Sequence, residues 1–182
     1  MSEMTPAIWL ISGQSEAGKT RFCRQMIEKA RTLGLSVGGV LSPAVFAEGV
    51  KTGIEVENLR SGERRLLATA REEAADSITP HWKFDPGVLD WGARALASST
   101  PCDLLVVDEL GPLELQNNQG WIDGIHAVDS RRYRLALVVI RSSLLATGLQ
   151  RWPDAHVLSL SKFDPSETIS ESITRILDGS FR

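Results

Sequence analysis

The sequence has little of the chemistry that cross-links small proteins or binds metals through soft ligands. Its 182 residues include two cysteines and three histidines. Cys23 and Cys102 lie far apart in apolar surroundings, which is typical of reduced thiols in a protein core. His81, His126 and His156 show no helical metal spacing and no neighbouring nucleophile. Because a chain of this length can bury roughly 70% of its unfolded surface, we expect it to fold without disulfides or a structural metal.

The sequence also lacks a strong charge excess and a long apolar run. Its formal net charge of −3 disfavours general nucleic-acid binding, and we interpret Arg64-Arg65 and Arg131-Arg132 as solvated charges. Residues 1–6 carry no basic side chain and precede an apolar run too short for a signal or membrane segment. We therefore expect a single domain over residues 1–182, acting as a monomer in the cytoplasm without membrane contact.

What the sequence does contain is a complete phosphate-binding loop. Residues 13–20 match the pattern G-x-x-x-x-G-K-[ST] and directly follow the apolar run of residues 7–11. A strand before this pattern and a helix after it form the context that the pattern requires. The sequence therefore predicts binding of a nucleoside triphosphate. The candidate binding residues are Gly13, Gln14, Ser15, Glu16, Ala17, Gly18, Lys19, Thr20 and Arg21.

The residue types in this loop suit a phosphate ligand. Gly13 and Gly18 permit backbone conformations that turn consecutive N–H groups toward phosphate oxygens. Lys19 supplies a compact positive charge, and the Thr20 hydroxyl is suited to Mg²⁺. The positive end of the following helix dipole is aimed at the same phosphates. Glu16 adds a negative charge that would weaken binding unless its side chain points outward.

Apolar segments alternate with amphipathic ones along most of the chain. Strands are predicted at residues 7–11, 37–41, 104–107, 135–140 and 157–160. Helices are predicted after the loop, from Pro86, around residues 121–128, and at residues 144–150 and 168–177. This alternation predicts an α/β fold with a mostly parallel central sheet, helices on both faces, and a ligand at the carboxyl ends of the strands.

One region departs from the alternating pattern. Residues 52–69 are predicted to form an antiparallel hairpin, in which Ile54 and Val56 alternate with Glu55 and Glu57. This alternation predicts one wet face. Two further segments are harder to place: residues 79–84 are consistent with a short strand, and residues 110–118 with a proline-containing loop.

Acidic residues end the apolar strand of residues 104–107. A triphosphate and its Mg²⁺ need a carboxylate beyond the phosphate loop, and Asp108 is the candidate for the metal. Glu109 is the candidate that takes a proton from the attacking water or orients it, and Glu114 is the rival base. Arg141, at the end of the next strand, lies where a cation could approach the γ-phosphate. The alternative for Arg141 is an ion pair with a neighbouring acid.

Several segments together resemble the THEP-type nucleoside-triphosphatases. They are the phosphate loop, residues 38–43 (Gly-Gly-Val-Leu-Ser-Pro), the hairpin with residues 59–62, residues 108–115 (Asp-Glu-Leu-Gly-Pro-Leu-Glu-Leu) and residues 139–141 (Val-Ile-Arg). The likeness covers residues 7–160, approximately. It implies a P-loop fold that hydrolyses nucleoside triphosphates with Mg²⁺ and often tolerates different bases. Lys19, Thr20, Asp108 and Glu109 stand at the matching positions.

The sequence departs from that family in two places. The family usually has a basic stretch before the hairpin, where this chain keeps one cation, Lys51. The family also tends to show an Asn-Arg pair after the last strand, where residues 161–164 read Ser-Lys-Phe-Asp. In GTPases an [Asn/Thr]-Lys-x-Asp segment at this place reads guanine, so Lys162 and Asp164 are candidates for base contact. Ser161 replaces the Asn, and a simple turn into the last helix is the alternative.

These features favour a Mg²⁺-dependent enzyme that hydrolyses ATP- or GTP-type nucleotides to the diphosphate and phosphate. The catalytic candidates are Lys19, Glu109, Glu114 and Arg141, and the metal candidates are Thr20 and Asp108. Two alternatives remain open: a P-loop kinase with a small acceptor, and a GTPase-like switch that acts through a protein partner. The switch is consistent with the D-x-x-G pattern of residues 108–111.

Overall fold

A computed structural model describes residues 5–70, 82–162 and 166–181, with the backbone alone at residues 166–169. The strands are β1 (Ala7–Gly13), β2 (Val37–Leu41), β3 (Ala44–Ala47), β4 (Val50–Asn58), β5 (Arg64–Ala70), β6 (Trp82–Phe84), β7 (Leu104–Leu110), β8 (Leu135–Ile140) and β9 (His156–Leu160). The helices are α1 (Lys19–Thr32), α2 (Pro86–Ala97), α3 (Pro112–Leu115), α4 (Ile122–Asp129), α5 (Leu145–Arg151) and α6 (Ser166–Phe181).

These strands form one sheet in the order β6-β5-β4-β2-β7-β8-β1-β9, with β3 paired to β4 beside this path. Strands β2, β7, β8, β1 and β9 run parallel. Strand β4 joins β2 in the antiparallel direction and continues through β5 and β6. The predicted α/β class, with a mostly parallel sheet and an antiparallel hairpin, is confirmed.

Helices cover both faces of the parallel strands, which explains their unbroken apolar sequences. In β7, Leu104 and Val106 pack in the core beneath α1 and α6, whereas Leu105 and Val107 pack in the core beneath α2 and α4. All four side chains are fully buried. A strand covered on both faces needs apolar residues at every position rather than at alternate ones. Within the residues that the structure describes, no helix combines the length and the apolar character needed to cross a bilayer.

A glycine determines how closely β2 and β7 approach. Gly39 has a φ of +102°, a conformation that side chains rarely adopt. A Cβ atom at this position would lie 1.8 Å from the carbonyl oxygen of Val106. Since β7 carries the acidic residues and β2 leads to Ser42, this contact fixes the two strand ends relative to each other.

The antiparallel region is larger than the predicted hairpin. Strand β3 extends it toward the N-terminus and pairs with the first half of β4. The expectation of one wet face is wrong at Glu57, which is 3% exposed. Its carboxylate lies 2.7 Å from the guanidinium of Arg24 in α1 and 3.0 Å from that of Arg64 in β5. A carboxylate can be buried here because two cations compensate its charge.

The predicted loop of residues 110–118 is also partly wrong. Strand β7 continues to Leu110, and the short helix α3 follows. Pro112 starts this helix, where its missing N–H costs no hydrogen bond. The other uncertain segment, residues 79–84, ends in β6, and its first three residues lie outside the described part of the chain.

Candidate active site

The phosphate loop connects the carboxyl end of β1 to the amino end of α1. Gly18, the residue before α1, has a φ of +87° and a ψ of 18°, a left-handed conformation that glycine adopts without strain. Gln14, Ser15, Glu16 and Arg21 are exposed, whereas Ala17 is buried. The loop therefore presents its polar groups at the open end of the sheet, with the amino end of a 14-residue helix directly behind them.

Lys19 folds back over this loop. Its ammonium donates to the carbonyl oxygens of Gly13 at 2.9 Å and Gln14 at 2.8 Å. Burial lowers the pKa of Lys19, and the carboxylates of Glu109 and Asp108 oppose this shift. The two acids near the carboxyl end of β7 are thus electrostatic neighbours of the loop lysine.

Asp108 lies at the base of the site and is 2% exposed. Its Oδ2 accepts a hydrogen bond from the backbone N–H of Ser42 at 2.9 Å. Burial raises the pKa of Asp108 to about 6, and hydrogen bonding by the Ser42 N–H and by the nearby Thr20 side chain acts in the opposite direction. The two predicted metal ligands, Thr20 and Asp108, are therefore neighbours.

Glu109 follows in a strained backbone conformation. Its φ of +69° is uncommon for a residue other than glycine. The pairing of β7 with β8 shifts its register between Val107 and Leu110, around this residue. Its side chain is 51% exposed and lies 3.4 Å from the guanidinium of Arg141, which is 62% exposed. Strain of this kind, at a strand end beside a phosphate loop, is typical of functional positions.

Glu114 uses its carboxylate oxygens within the following loop. One oxygen accepts from the backbone N–H of Gly111 at 2.9 Å, and the other accepts from the N–H of Trp121 at 3.1 Å. These contacts cap α3 and close the segment between β7 and α4. The geometry thus separates the two rival bases, because Glu109 is open to solvent whereas Glu114 holds two backbone donors.

The negative charge of Glu16 is paired with a lysine beside the phosphate loop. Its carboxylate lies 2.8 Å from the ammonium of Lys162, which follows β9. This hydrogen bond and charge lower the pKa of Glu16, and the charge of Lys51 in the β3–β4 hairpin adds a smaller effect. Two lysines from opposite sides of the site therefore offset the acidic residue inside the loop.

A cavity of about 390 Å³ lies between the phosphate loop and the end of β9. Gly13, Gln14, Ser142, Ser161 and Lys162 are among its lining residues. The structure thus places Lys162 beside the loop, as a base-contacting residue requires. Asp164, the second candidate for base contact, lies outside the described residues. Another cavity, of about 500 Å³, lies at the amino end of β2 beside Arg60, whose guanidinium donates to the carbonyls of Ser99 and Pro101.

The donor set fits a magnesium ion held mainly by its nucleotide. Among the described residues, no cluster of three or more His, Cys, Asp or Glu side chains could enclose a metal. Thr20 and Asp108 instead supply one hydroxyl and one carboxylate, as in sites where substrate phosphates and water complete the shell of Mg²⁺. Ser42, whose N–H donates to Asp108, also has a buried hydroxyl. This hydroxyl has no hydrogen-bond partner within the described part of the chain.

The sequence did not predict the contacts of two residues in or near the site, Ser42 and Glu57. Ser42 directly follows β2 and was recognisable only as part of the segment Ser-Pro after a buried strand. Glu57 alternated with apolar residues in the manner of a solvent-facing acid. The contacts that distinguish them join residues 66 and 33 positions apart, respectively. No local pattern in a single sequence reports such contacts.

A parallel α/β sheet with this loop at its open end defines a P-loop nucleotide-binding protein. Within that class, a family model described as NTPase matches residues 9–174. The chain therefore belongs to this NTPase family. Its curated relatives are named nucleoside-triphosphatases, which are hydrolases, and the resemblance seen in the sequence is confirmed.

Individual relatives match different shares of the chain. The nucleoside-triphosphatase THEP1 of Ignicoccus hospitalis is 34% identical over 106 residues, which are 58% of this chain and 60% of that protein. The THEP1 of Methanothermobacter thermautotrophicus is 31% identical over 115 residues, 60% of this chain and 63% of that protein. These matches span about three fifths of the two relatives. The THEP1 of Archaeoglobus fulgidus is 27% identical over 170 residues, 93% of this chain and 98% of that protein.

Solved structures show the same fold. A human cancer-related nucleoside triphosphatase superimposes with a TM-score of 0.67 and 21% identity, and the match covers 95% of this chain and 98% of that one. THEP1 from Aquifex aeolicus gives a TM-score of 0.60 and 16% identity, with 96% and 99% covered. At these identities the likeness supports the architecture.

Proposed function

We propose that this protein is a Mg²⁺-dependent nucleoside-triphosphatase that releases the diphosphate and inorganic phosphate. The observation that carries the proposal is the buried carboxylate of Asp108, which lies beside Thr20 and Lys19 of the phosphate-loop helix and is held by the N–H of Ser42. A hydroxyl and a carboxylate brought together beside Lys19 suit a cation that bridges the phosphates. When bound, Mg²⁺ would neutralise charge that develops on the transferring phosphoryl group.

Four side chains have separate roles in the proposed hydrolysis. The ammonium of Lys19 leaves the carbonyls of Gly13 and Gln14 and binds phosphate oxygens, because a phosphate is the stronger acceptor. Glu109 orients the attacking water and accepts its proton, since its carboxylate is exposed at the same strand end as Asp108. Arg141 supplies positive charge toward the γ-phosphate after it separates from Glu109. Glu114 holds the segment that follows β7.

The cavity beside the phosphate loop would take the ribose and base. Its lining combines serine hydroxyls with the stem of Lys162, and such a lining hydrogen-bonds to bases of more than one kind. We propose that both ATP and GTP are hydrolysed. Thermal-shift measurements with ATP, GTP, their diphosphates and Mg²⁺ test this proposal, and a response to guanine nucleotides alone would favour a guanine-reading role for Lys162.

The decisive experiment compares phosphate release by the wild type and by Lys19→Ala. Removal of the ammonium that binds the loop carbonyls of Gly13 and Gln14 should reduce turnover at least about a hundredfold. Lys29→Ala removes an exposed lysine from the last turn of the same helix and is the matched control. Unchanged turnover in Lys19→Ala would refute the proposal. Turnover that rises strongly when a small phosphate acceptor is added would instead indicate a kinase.

A further inference from the structure

One buried polar atom, in a residue that contacts the proposed metal site, makes no hydrogen bond within the described part of the chain. The hydroxyl oxygen of Ser42 is buried and has no hydrogen-bond partner among the described residues. Burial of an unpaired hydroxyl destabilises a protein, so such atoms are rare unless a water molecule or a ligand satisfies them. Ser42 is also the residue whose backbone N–H donates to Asp108. The unpaired hydroxyl thus belongs to the residue that positions the metal-binding carboxylate.

Covalent geometry limits how far this hydroxyl lies from Asp108. Within one serine, the N and Oγ atoms are separated by about 3–4 Å, depending on the rotamer. The N–H of Ser42 lies 2.9 Å from Oδ2 of Asp108. The hydroxyl is therefore within about 7 Å of the carboxylate oxygen. Two Mg²⁺–oxygen distances of about 2.1 Å and one hydrogen bond of about 2.8 Å together reach the same length.

Magnesium favours this kind of indirect contact. The ion dehydrates reluctantly and retains several water molecules when nucleotides and one or two protein groups bind it. Each retained water needs hydrogen-bond acceptors, and a serine hydroxyl both accepts and donates. The hydroxyl of Ser42 has both capacities unused within the described chain.

We propose that Ser42 is a positioning residue for the cation, whose hydroxyl accepts a hydrogen bond from a water molecule bound to the Mg²⁺ that Thr20 and Asp108 hold. Its N–H orients the carboxylate of Asp108 and its hydroxyl orients the metal-bound water. Ser42, directly after β2, therefore orients both a ligand of the ion and a water molecule bound to the ion. This inference rests on the proposed function, because it concerns the same metal site.

The test measures metal affinity directly instead of turnover. Mn²⁺ is titrated, with electron paramagnetic resonance detection of the free ion, into protein saturated with a non-hydrolysable β,γ-imido triphosphate. Ser42→Ala should weaken Mn²⁺ binding about tenfold, since loss of a hydrogen-bond partner of a metal ligand typically costs about 10–100-fold in metal affinity. Ser42→Thr retains the hydroxyl and should restore most of the affinity.

Two controls separate this inference from the proposed function. Ser99→Ala removes a buried hydroxyl near the amino end of β2, at the end of the sheet away from the phosphate loop. This hydroxyl donates to the carbonyl oxygen of Leu96, and its loss should leave Mn²⁺ affinity unchanged. Thr20→Ala should weaken the affinity at least as much as Ser42→Ala. If Thr20→Ala has its effect and Ser42→Ala has none, the inference alone is overturned. If neither changes Mn²⁺ binding, both the inference and the metal assignment are overturned.

Thermal unfolding provides an independent second readout. Without metal, Ser42→Ala removes an unpaired buried group, so the Tm should stay equal or rise. With Mg²⁺ and the same nucleotide analogue, the increase in Tm should be smaller than in the wild type. A merely structural role predicts a lower Tm in both conditions with an unchanged metal-dependent increase, and that result would contradict the inference.

Discussion

The guanidinium of Arg141 and the carboxylate of Glu109 form an ion pair of 3.4 Å across the ends of β8 and β7. Both side chains are more than half exposed. Solvent therefore screens the pair, and exposed pairs contribute about 0–1 kcal/mol. A bound triphosphate carries several negative charges and can compete for the arginine. The pair thus holds Arg141 near the site without fixing it there.

Arg141→Ala is expected to reduce kcat at least about tenfold, since an arginine that reaches the γ-phosphate stabilises charge in the transition state. Nucleotide affinity should change less than kcat. Steady-state phosphate release at several nucleotide concentrations measures both parameters. Arg131→Ala, which breaks an ion pair with Asp154 between surface residues, is the control. If Arg141→Ala keeps the kcat of the wild type, Arg141 does not act on the γ-phosphate and only pairs with Glu109.

Substitution of the two candidate bases should give different results. Glu109→Gln is expected to reduce turnover about 10²- to 10⁴-fold while nucleotide binding persists, because the amide cannot accept the proton of water. Glu114→Gln should retain turnover within a few-fold but lower the unfolding free energy by about 1 kcal/mol, since an NH₂ group then faces a backbone donor. Phosphate release and urea unfolding measure the two effects. The reverse pattern would assign the base to Glu114.

The buried Asp108 should impose a pH dependence on stability in the absence of metal. Burial raises its pKa to about 6 from 3.8, so the folded protein binds this proton more tightly than the unfolded chain. The stabilisation is complete below about pH 4 and is lost as the pH rises to about 6, with a total change of about 3 kcal/mol. Urea unfolding in EDTA from pH 4.5 to pH 8 measures this slope.

Asp108→Asn is the corresponding control, because its amide does not titrate and its oxygen can still accept from the N–H of Ser42. The variant should be more stable than the wild type at pH 8 and should lack this part of the pH slope. It should also lose Mg²⁺-dependent turnover. Identical slopes in the two proteins would show that Asp108 already ionises freely in the folded state.

The pair of Glu16 and Lys162 should tune nucleotide affinity. Glu16→Gln removes a negative charge near the phosphates and releases the ammonium of Lys162, so affinity for the Mg²⁺ nucleotide should increase about two- to fivefold at low salt. Lys162→Met should weaken affinity by a similar factor. Isothermal titration at two salt concentrations measures both changes. Weaker binding by Glu16→Gln would mean that Glu16 contacts the nucleotide through a favourable hydrogen bond.

Gly39→Ala should destabilise the protein strongly. Its Cβ would lie 1.8 Å from the carbonyl of Val106, and the φ of +102° is strained for any side chain. The cost should be at least about 3 kcal/mol, because two central strands would have to separate. Gly179→Ala in α6 is the matched control, since a Cβ there meets open space and alanine favours a helix. Similar urea midpoints for the two variants would contradict this prediction.

The features predicted from the sequence are the ones that local patterns encode. The phosphate loop, the apolar strands and the acids near the end of β7 each occupy consecutive residues, so spacing alone reveals them. The sequence could not distinguish Glu109 from Glu114, because the difference depends on the N–H of Trp121, seven residues beyond Glu114. It also missed the burial of Glu57, since Arg24 lies 33 residues away in another element. The roles of the site residues stay predictions.

The buried carboxylate of Glu57 has a consequence for motion. It joins α1 to the turn end of the β4–β5 hairpin through Arg24 and Arg64, and separation of these elements would leave an uncompensated charge at a cost of about 3–5 kcal/mol. We therefore expect this end of the hairpin to move together with the phosphate-loop helix. The strand register shifts at Val45/Phe46 and Ile54/Glu55, between this anchored end and the β3–β4 turn, and strands bend at such bulges. Closure of the β3–β4 turn over a nucleotide would pivot there.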